Sequence, residues 1–292
     1  MTKSTHCLRV TSFWLWTVAS VAFALAHGSA SGEPPTSKAD AAQPKLQSWL
    51  RTPQEWQRDT DGPIVSLGDE DDFDSRHIFA PMVALEDGMY RLWYCGSTGS
   101  VQRRVFQLGL ATSRDGREFK KSAENPVYSF GDGKHSVLTP TLLRNPDGST
   151  LRDSKTLRMW FSSTWFEGDS TLHTLHEATS IDGVRWSKPS SPLLKNVYAP
   201  TVIKDGDEYR MWYTDVAKDP WIIRHASSAD GRRWNVTRDP CLVMDQKWEK
   251  TRLLYPTVLK IDGVFLMWYG SYWSARGNTT ALGFAASLDG IK

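Results

Sequence analysis

Two carboxylates in this chain of 292 residues recur at one register. Asp74 and Glu249 each stand seven residues ahead of a proline, Pro81 and Pro256. His77, Asn196 and Arg252 share a second register, four residues ahead of Pro81, Pro200 and Pro256, and Arg76 and His135 fall in the same approaches. A carboxylate pair is the residue set of general acid–base and nucleophilic chemistry, in which one group stays protonated and the other ionised. Arginine, histidine and asparagine beside such a pair supply donors for hydroxyls, and arginine can grip a carboxylate with both arms. Asp215, which follows a Trp-Tyr-Thr run, is a third catalytic candidate, with Glu167 in reserve. His176 and Arg224 stand where Gly109 and Gly283 fall in the aligned segments, and are further binding candidates. His173 and His176 are three apart, which on a strand sets them on opposite faces and excludes a metal pair. The three cysteines, Cys7, Cys95 and Cys241, show no zinc-type pairing, and no phosphate-cradling loop is visible, so neither metal nor cofactor is expected.

The elements that must position these residues are legible as a repeat. Four segments align: APMVALEDGMYRLWY from Ala80, TPTLL with TLRMWF from Thr139, APTVIKDGDEYRMWY from Ala199 and YPTVLKIDGVFLMWY from Tyr255. Their prolines, Pro81, Pro140, Pro200 and Pro256, are separated by 59, 60 and 56 residues. A second segment follows each one: LGLATSRDGREF, LHEATSIDGVRW, RHASSADGRRW and LGFAASLDGIK. A connector from an aromatic to a proline precedes each module, as in Trp56 to Pro63 and Trp234 to Pro240. Asp205-Gly206-Asp207 between two β-rich runs is a hairpin signal, and Asp182-Gly183 repeats the device. Asp115, Asp182, Asp230 and Asp289 read as turn residues that accept hydrogen bonds from their own loops. Runs such as RMWY are apolar at nearly every position, so the strands are covered on both faces. Repeated four-stranded antiparallel sheets covered on both faces form a ring of blades, a β-propeller over residues 51–292. The first strand of each blade then lines the axis, so ligand groups gather just ahead of the four prolines. Either the Trp56 strand completes the last blade and closes a ring of four, or a fifth blade is absent.

Lys and Arg total 35 against 33 Asp and Glu, leaving no basic surplus for nucleic acid. Lys3 and Arg9 precede an apolar run from Phe13 to Ala26, which reads as a secretory signal peptide over residues 1–30, cut after Ala26 or Ala30. Localisation is accordingly expected outside the cell or in the periplasm, with no transmembrane span after cleavage, and the chain as a monomer. Residues 31–50 have a flexible-linker composition with little to bury. Of 14 tryptophans, Trp93, Trp160, Trp212 and Trp268 occupy one repeated position and Trp56, Trp186 and Trp234 another. Trp165, Trp221 and Trp273 fall outside both and remain available to stack on a ligand.

The order FDS, proline-begun strand, YRMWY and ATSxDGxxW turn resembles the five-bladed β-propeller glycoside hydrolases, a superfamily that includes families 32, 43, 62, 68 and 130. The resemblance covers nearly all of residues 56–292. It implies hydrolysis or transfer of glycosidic bonds in an oligo- or polysaccharide, by acidic residues projecting into an axial funnel. On that resemblance Asp74 matches the first-blade carboxylate and is assigned nucleophile or base, with Glu249 the acid. The chain departs from the pattern in places. Family 43 carries a glutamate directly before an Ala-Pro, where this chain has Tyr198 and Phe79. The family 32 string Asn-Asp-Pro-Asn-Gly is absent, and Arg238-Asp239-Pro240 falls in a connector. The alternative is a non-catalytic propeller that binds glycans or a protein partner.

Overall fold

The computed structural model describes residues 38–52, 54–100, 104–167, 170–274 and 280–292, with no side chain described over 38–40 and 166–171. The expected signal peptide lies outside the described residues. Each module folds into one antiparallel sheet. The first blade holds β1 (His77–Glu86), β2 (Met89–Ser97), β3 (Gln107–Ser113) and β4 (Lys120–Lys121) in that order. The second holds β5 (Ser136–Leu142), β6 (Leu157–Glu167), β7 (Ser170–Ser180) and β8 (Leu194–Lys195). The third holds β9 (Val197–Asp205), β10 (Glu208–Asp215), β11 (Ile222–Ser228) and β12 (Asn235–Val236). The fourth has three strands, β13 (Leu253–Ile261), β14 (Val264–Tyr272) and β15 (Thr280–Ser287). The inner strands pack in the order β1, β5, β9, β13 around the axis.

The repeated tryptophans hold neighbouring blades together. Trp93, Trp160 and Trp212 are fully buried. Each donates its indole N–H to the glycine carbonyl of the next blade's Ser-x-Asp-Gly turn: Gly183 at 2.9 Å, Gly231 at 2.7 Å and Gly290 at 2.7 Å. Two positions upstream, Arg91, Arg158 and Arg210 donate to the aspartate carbonyl of the same turns. The aspartates behave as expected of turn residues, Oδ1 of Asp182 accepting from the amides of Val184 and Arg185. Burying one such indole is worth roughly 4–6 kcal/mol of transfer free energy as an upper bound. Cys95 and Cys241 are unpaired, and burial pushes both thiols up to about 12.

The fourth blade ends the pattern. Leu266 replaces the arginine, and the Trp268 indole N–H is buried without a partner among the described residues. The linker expected over 31–50 is helical along much of its length. Residues Lys38–Arg51 form α1, which lays Ala42 against Val264, Leu266 and Phe284. Its apolar residues Ala42, Leu46 and Trp49 recur at helical spacing, a signal that a composition reading averages away. Trp56 adds no strand; it stands edge-on to Trp268 at 6.3 Å, as Trp186 does to Trp93 at 6.4 Å. A helix and one connector residue therefore cover the face that the other blades present to a neighbour.

Candidate functional site at the funnel mouth

The inner strands reach the mouth through a shared irregularity. In all four blades the ladder to the second strand carries one extra inner-strand residue, between Phe79 and Met82, Leu138 and Thr141, Tyr198 and Thr201, and Leu254 and Thr257. The residue ahead of each proline there takes a left-handed φ: Ala80 52°, Thr139 46°, Ala199 49° and Tyr255 52°. A non-glycine residue in that region costs on the order of 1–3 kcal/mol, and a bulge re-aims the side chains beyond it.

Above the bulges, rings from three successive blades converge. The Tyr198 and Tyr255 hydroxyls are 2.9 Å apart. His173 meets Tyr198 edge-on at 5.2 Å, and Trp221 lies 6.1 Å from Tyr198. The Arg252 guanidinium sits 4.1 Å over Trp221 and 3.5 Å from Asp219. His135 lies 5.2 Å from Trp165, with Nδ1 2.5 Å from the Asp132 carboxylate. His77 begins β1 beside Phe106, at 6.2 Å. Asn196, at φ 61°, donates its amide to the His173 carbonyl and accepts from Val216, so its backbone braces this corner. Burial drops His173 to about 4, so its ring is neutral at pH 7. Against the upward push of burial, the His135 amide and ring and the Lys134 amide pull Asp132 down to about 2. Burial, then the neighbouring Tyr255, holds the Tyr198 hydroxyl protonated. The cluster of His173, Tyr198, Trp221, Tyr255 and Arg252 offers stacking faces and hydrogen-bond donors side by side.

The structure does not bring Asp74 and Glu249 to that opening as an accessible pair. Asp74 is 1% exposed, with the Tyr94 hydroxyl at 2.8 Å and Lys121 of the outermost strand at 2.6 Å. Glu249 is 6% exposed, bound by the Tyr269 hydroxyl at 2.7 Å and the amides of Asp245 and Gln246, both at 2.9 Å. A substrate oxygen cannot displace those partners without opening the blade. Their shared register marks a structural stitch. Tyr94 and Tyr269 stand opposite Gly109 and Gly283, where a Cβ would come within 2.6 and 2.4 Å of the tyrosine ring. The other two blades carry His176 and Arg224 at that position. His176 is buried, held by the Ser190 carbonyl and Thr174 and stacked on Phe161, and does not face the funnel. Arg224 reaches outward to the Arg238 carbonyl while pairing with Asp215 at 2.6 Å. Asp215 ends β10 at the mouth end of its blade, paired across the ladder with Val197, and its side chain is 14% exposed. The Arg76 side chain is exposed beside the first blade's entry. Sequence reasoning did not select Tyr255, Asp132 or Asp219. For Tyr255 a signal was present, because it occupies the residue position directly ahead of its proline.

No protein-family model matches the chain. Two uncharacterized proteins of Mycobacterium tuberculosis, Rv1502 and MT1551, are each 29% identical over 174 residues, and the chain spans 56% of their length. Among solved structures, a thermostable family-43 glycoside hydrolase superposes with TM-score 0.60 at 15% identity, covering 75% of both chains. A structure described as a glycoside hydrolase gives 0.62 at 17% identity, and a complex of BT0996 with RGII gives 0.61 at 16%. These two matches each cover 74% of this chain and 72% of theirs. The architecture of this chain is thus that of the β-propeller glycoside hydrolases.

Proposed function

We propose that the protein is a carbohydrate-active propeller that takes a saccharide at the funnel mouth, with glycosidic hydrolysis as its reaction class. The observation that carries this reading is the convergence of His173, Tyr198, Trp221 and Tyr255 from the second, third and fourth blades. Flat apolar faces interleaved with donors suit a sugar ring, which is apolar on its faces and hydroxylated at its edge. The fold neighbours are glycoside hydrolases, which supports the reaction class. Hydrolysis requires a proton donor and a carboxylate. With Asp74 and Glu249 sealed, we assign the carboxylate to Asp215, at the mouth end of β10, the Glu167 side chain lying outside the described residues. The sealing of Asp74 and Glu249 specifically favours a second reading, in which the funnel recognises a glycan without cleaving it.

Titration calorimetry against a panel of oligosaccharides, with reducing-end release measured in parallel, tests both. Trp221→Ala is expected to weaken binding roughly 2- to 13-fold, the worth of one aromatic contact of about 0.5–1.5 kcal/mol. Unchanged affinity in that variant refutes the mouth as the binding site. Turnover by wild type that Asp215→Asn abolishes supports hydrolysis; tight binding with no reducing ends released leaves the recognition reading.

A further inference from the structure

Below the aromatic mouth lies a cavity of about 630 Å³ on the propeller axis, bounded by the inner strands of all four blades. Its wall is built from Met82, Val83, Leu142, Val202, Ile203 and Leu259, together with the four bulge prolines. Three of the four threonines on the wall turn their hydroxyls to neighbouring strands. Thr139 bonds Ser162 and the Ala199 amide, Thr141 accepts from the Val202 amide, and Thr201 donates to the Pro256 carbonyl. Arg144, the one charged side chain on the wall among the described residues, donates to the Val83 carbonyl at 3.0 Å. The cavity thus has the size of a small-ligand site and few groups to hold water, which needs two to four polar partners to stay. The cavity adjoins the mouth at Tyr255, which bonds Tyr198 and also lines the cavity.

We infer that the ligand is an amphiphilic glycoside, whose saccharide sits at the mouth and whose alkyl or acyl chain runs down the axial cavity. This rests on the saccharide reading and adds the class of aglycone to it. The two halves of the passage differ in chemistry, with donors and aromatic faces above the bulges and aliphatic wall below them. A free oligosaccharide satisfies only the upper half. A ligand that satisfies both carries a polar ring and an apolar tail on one molecule.

The test is a chain-length series of alkyl glucosides and alkyl maltosides, titrated below their micellar concentrations into the full chain. Affinity is expected to rise roughly fourfold per methylene until the cavity is filled. Thr257→Trp, which places bulk on a residue exposed to the cavity, should flatten that dependence. Affinity independent of chain length overturns the inference, as does a chain-length dependence that Thr257→Trp leaves intact. Saccharide binding that ignores chain length removes the tail and leaves the saccharide reading standing. Glycosides that bind no tighter than alkyl sulfonates of equal length would instead refute the saccharide reading. The wild-type series stands whether or not the variant folds.

Discussion

Replacing Trp212 with phenylalanine removes one hydrogen bond and strands its acceptor, the Gly290 carbonyl, in the seam between the third and fourth blades. A buried acceptor left unpaired costs about 1–3 kcal/mol, to which the lost contact between indole and phenyl adds. Trp160→Phe should cost about the same, since the Gly231 carbonyl accepts from Trp160 at 2.7 Å. Trp93→Phe should cost less, because the Gly183 carbonyl keeps a second donor, the Trp186 indole, at 3.2 Å. Trp268→Phe removes a buried N–H that has no partner among the described residues, so it relieves a penalty. It should stand at least about 1–3 kcal/mol above Trp212→Phe, whose indole is also the more deeply buried. Urea unfolding of the four variants gives the order directly, provided the slopes agree and midpoints are comparable. If Trp268→Phe destabilises as much as Trp212→Phe, the carbonyl bonds do not hold the blades together and the reasoning fails.

Asp74→Ala should lower stability by about 3 kcal/mol, since it strips a buried partner from Lys121 and Tyr94, while saccharide binding at the mouth stays intact. Urea unfolding and calorimetry on that variant check both halves, and loss of binding in a folded protein would restore Asp74 to the site. Burial holds His173 and His225 at about 4 in the folded chain, against roughly 6.5 when unfolded. Between those values the unfolded chain binds the extra protons, so stability is full above pH 6.5 and falls toward pH 4, by up to about 3 kcal/mol per residue. His225→Gln should therefore lose less stability than wild type between pH 7 and pH 4, measured by urea midpoints. Ala42→Glu places a charge in the cluster of Val264, Leu266 and Phe284 and should cost more than about 2 kcal/mol, read by the same assay.

The blade architecture was legible because it is written several times over. Proline spacing, the Tyr-Arg-Met-Trp-Tyr run and the Ser-x-Asp-Gly turn each recur in order, and each strand needs a neighbour for both faces. The turn assignment of Asp182 and its equivalents also held, because that chemistry is local. The site was harder to read. Asp74 and Glu249 precede the first strands, where chain direction is set by loops, so strand alternation says nothing about where they point. Their true partners were written in the sequence as a correlation: the two blades with a carboxylate at this register are those with tyrosine facing glycine. Blades without the carboxylate place Phe161 opposite His176 and Tyr213 opposite Arg224. The helix was missed because three apolar residues are enough to dock it once a vacant blade face supplies the other surface.

The extra residue ahead of each proline divides the inner strands into two independently phased lengths. Above it, side chains follow the alternation of the mouth; below it, they follow that of the stem. A change of residue at Tyr198 or Arg252 therefore need not disturb the phase in which Val202 or Leu259 meets the axis. The fold can exchange one recognition surface for another while its barrel wall stays constant. The four left-handed residues are the joints at which such grafts would be cut.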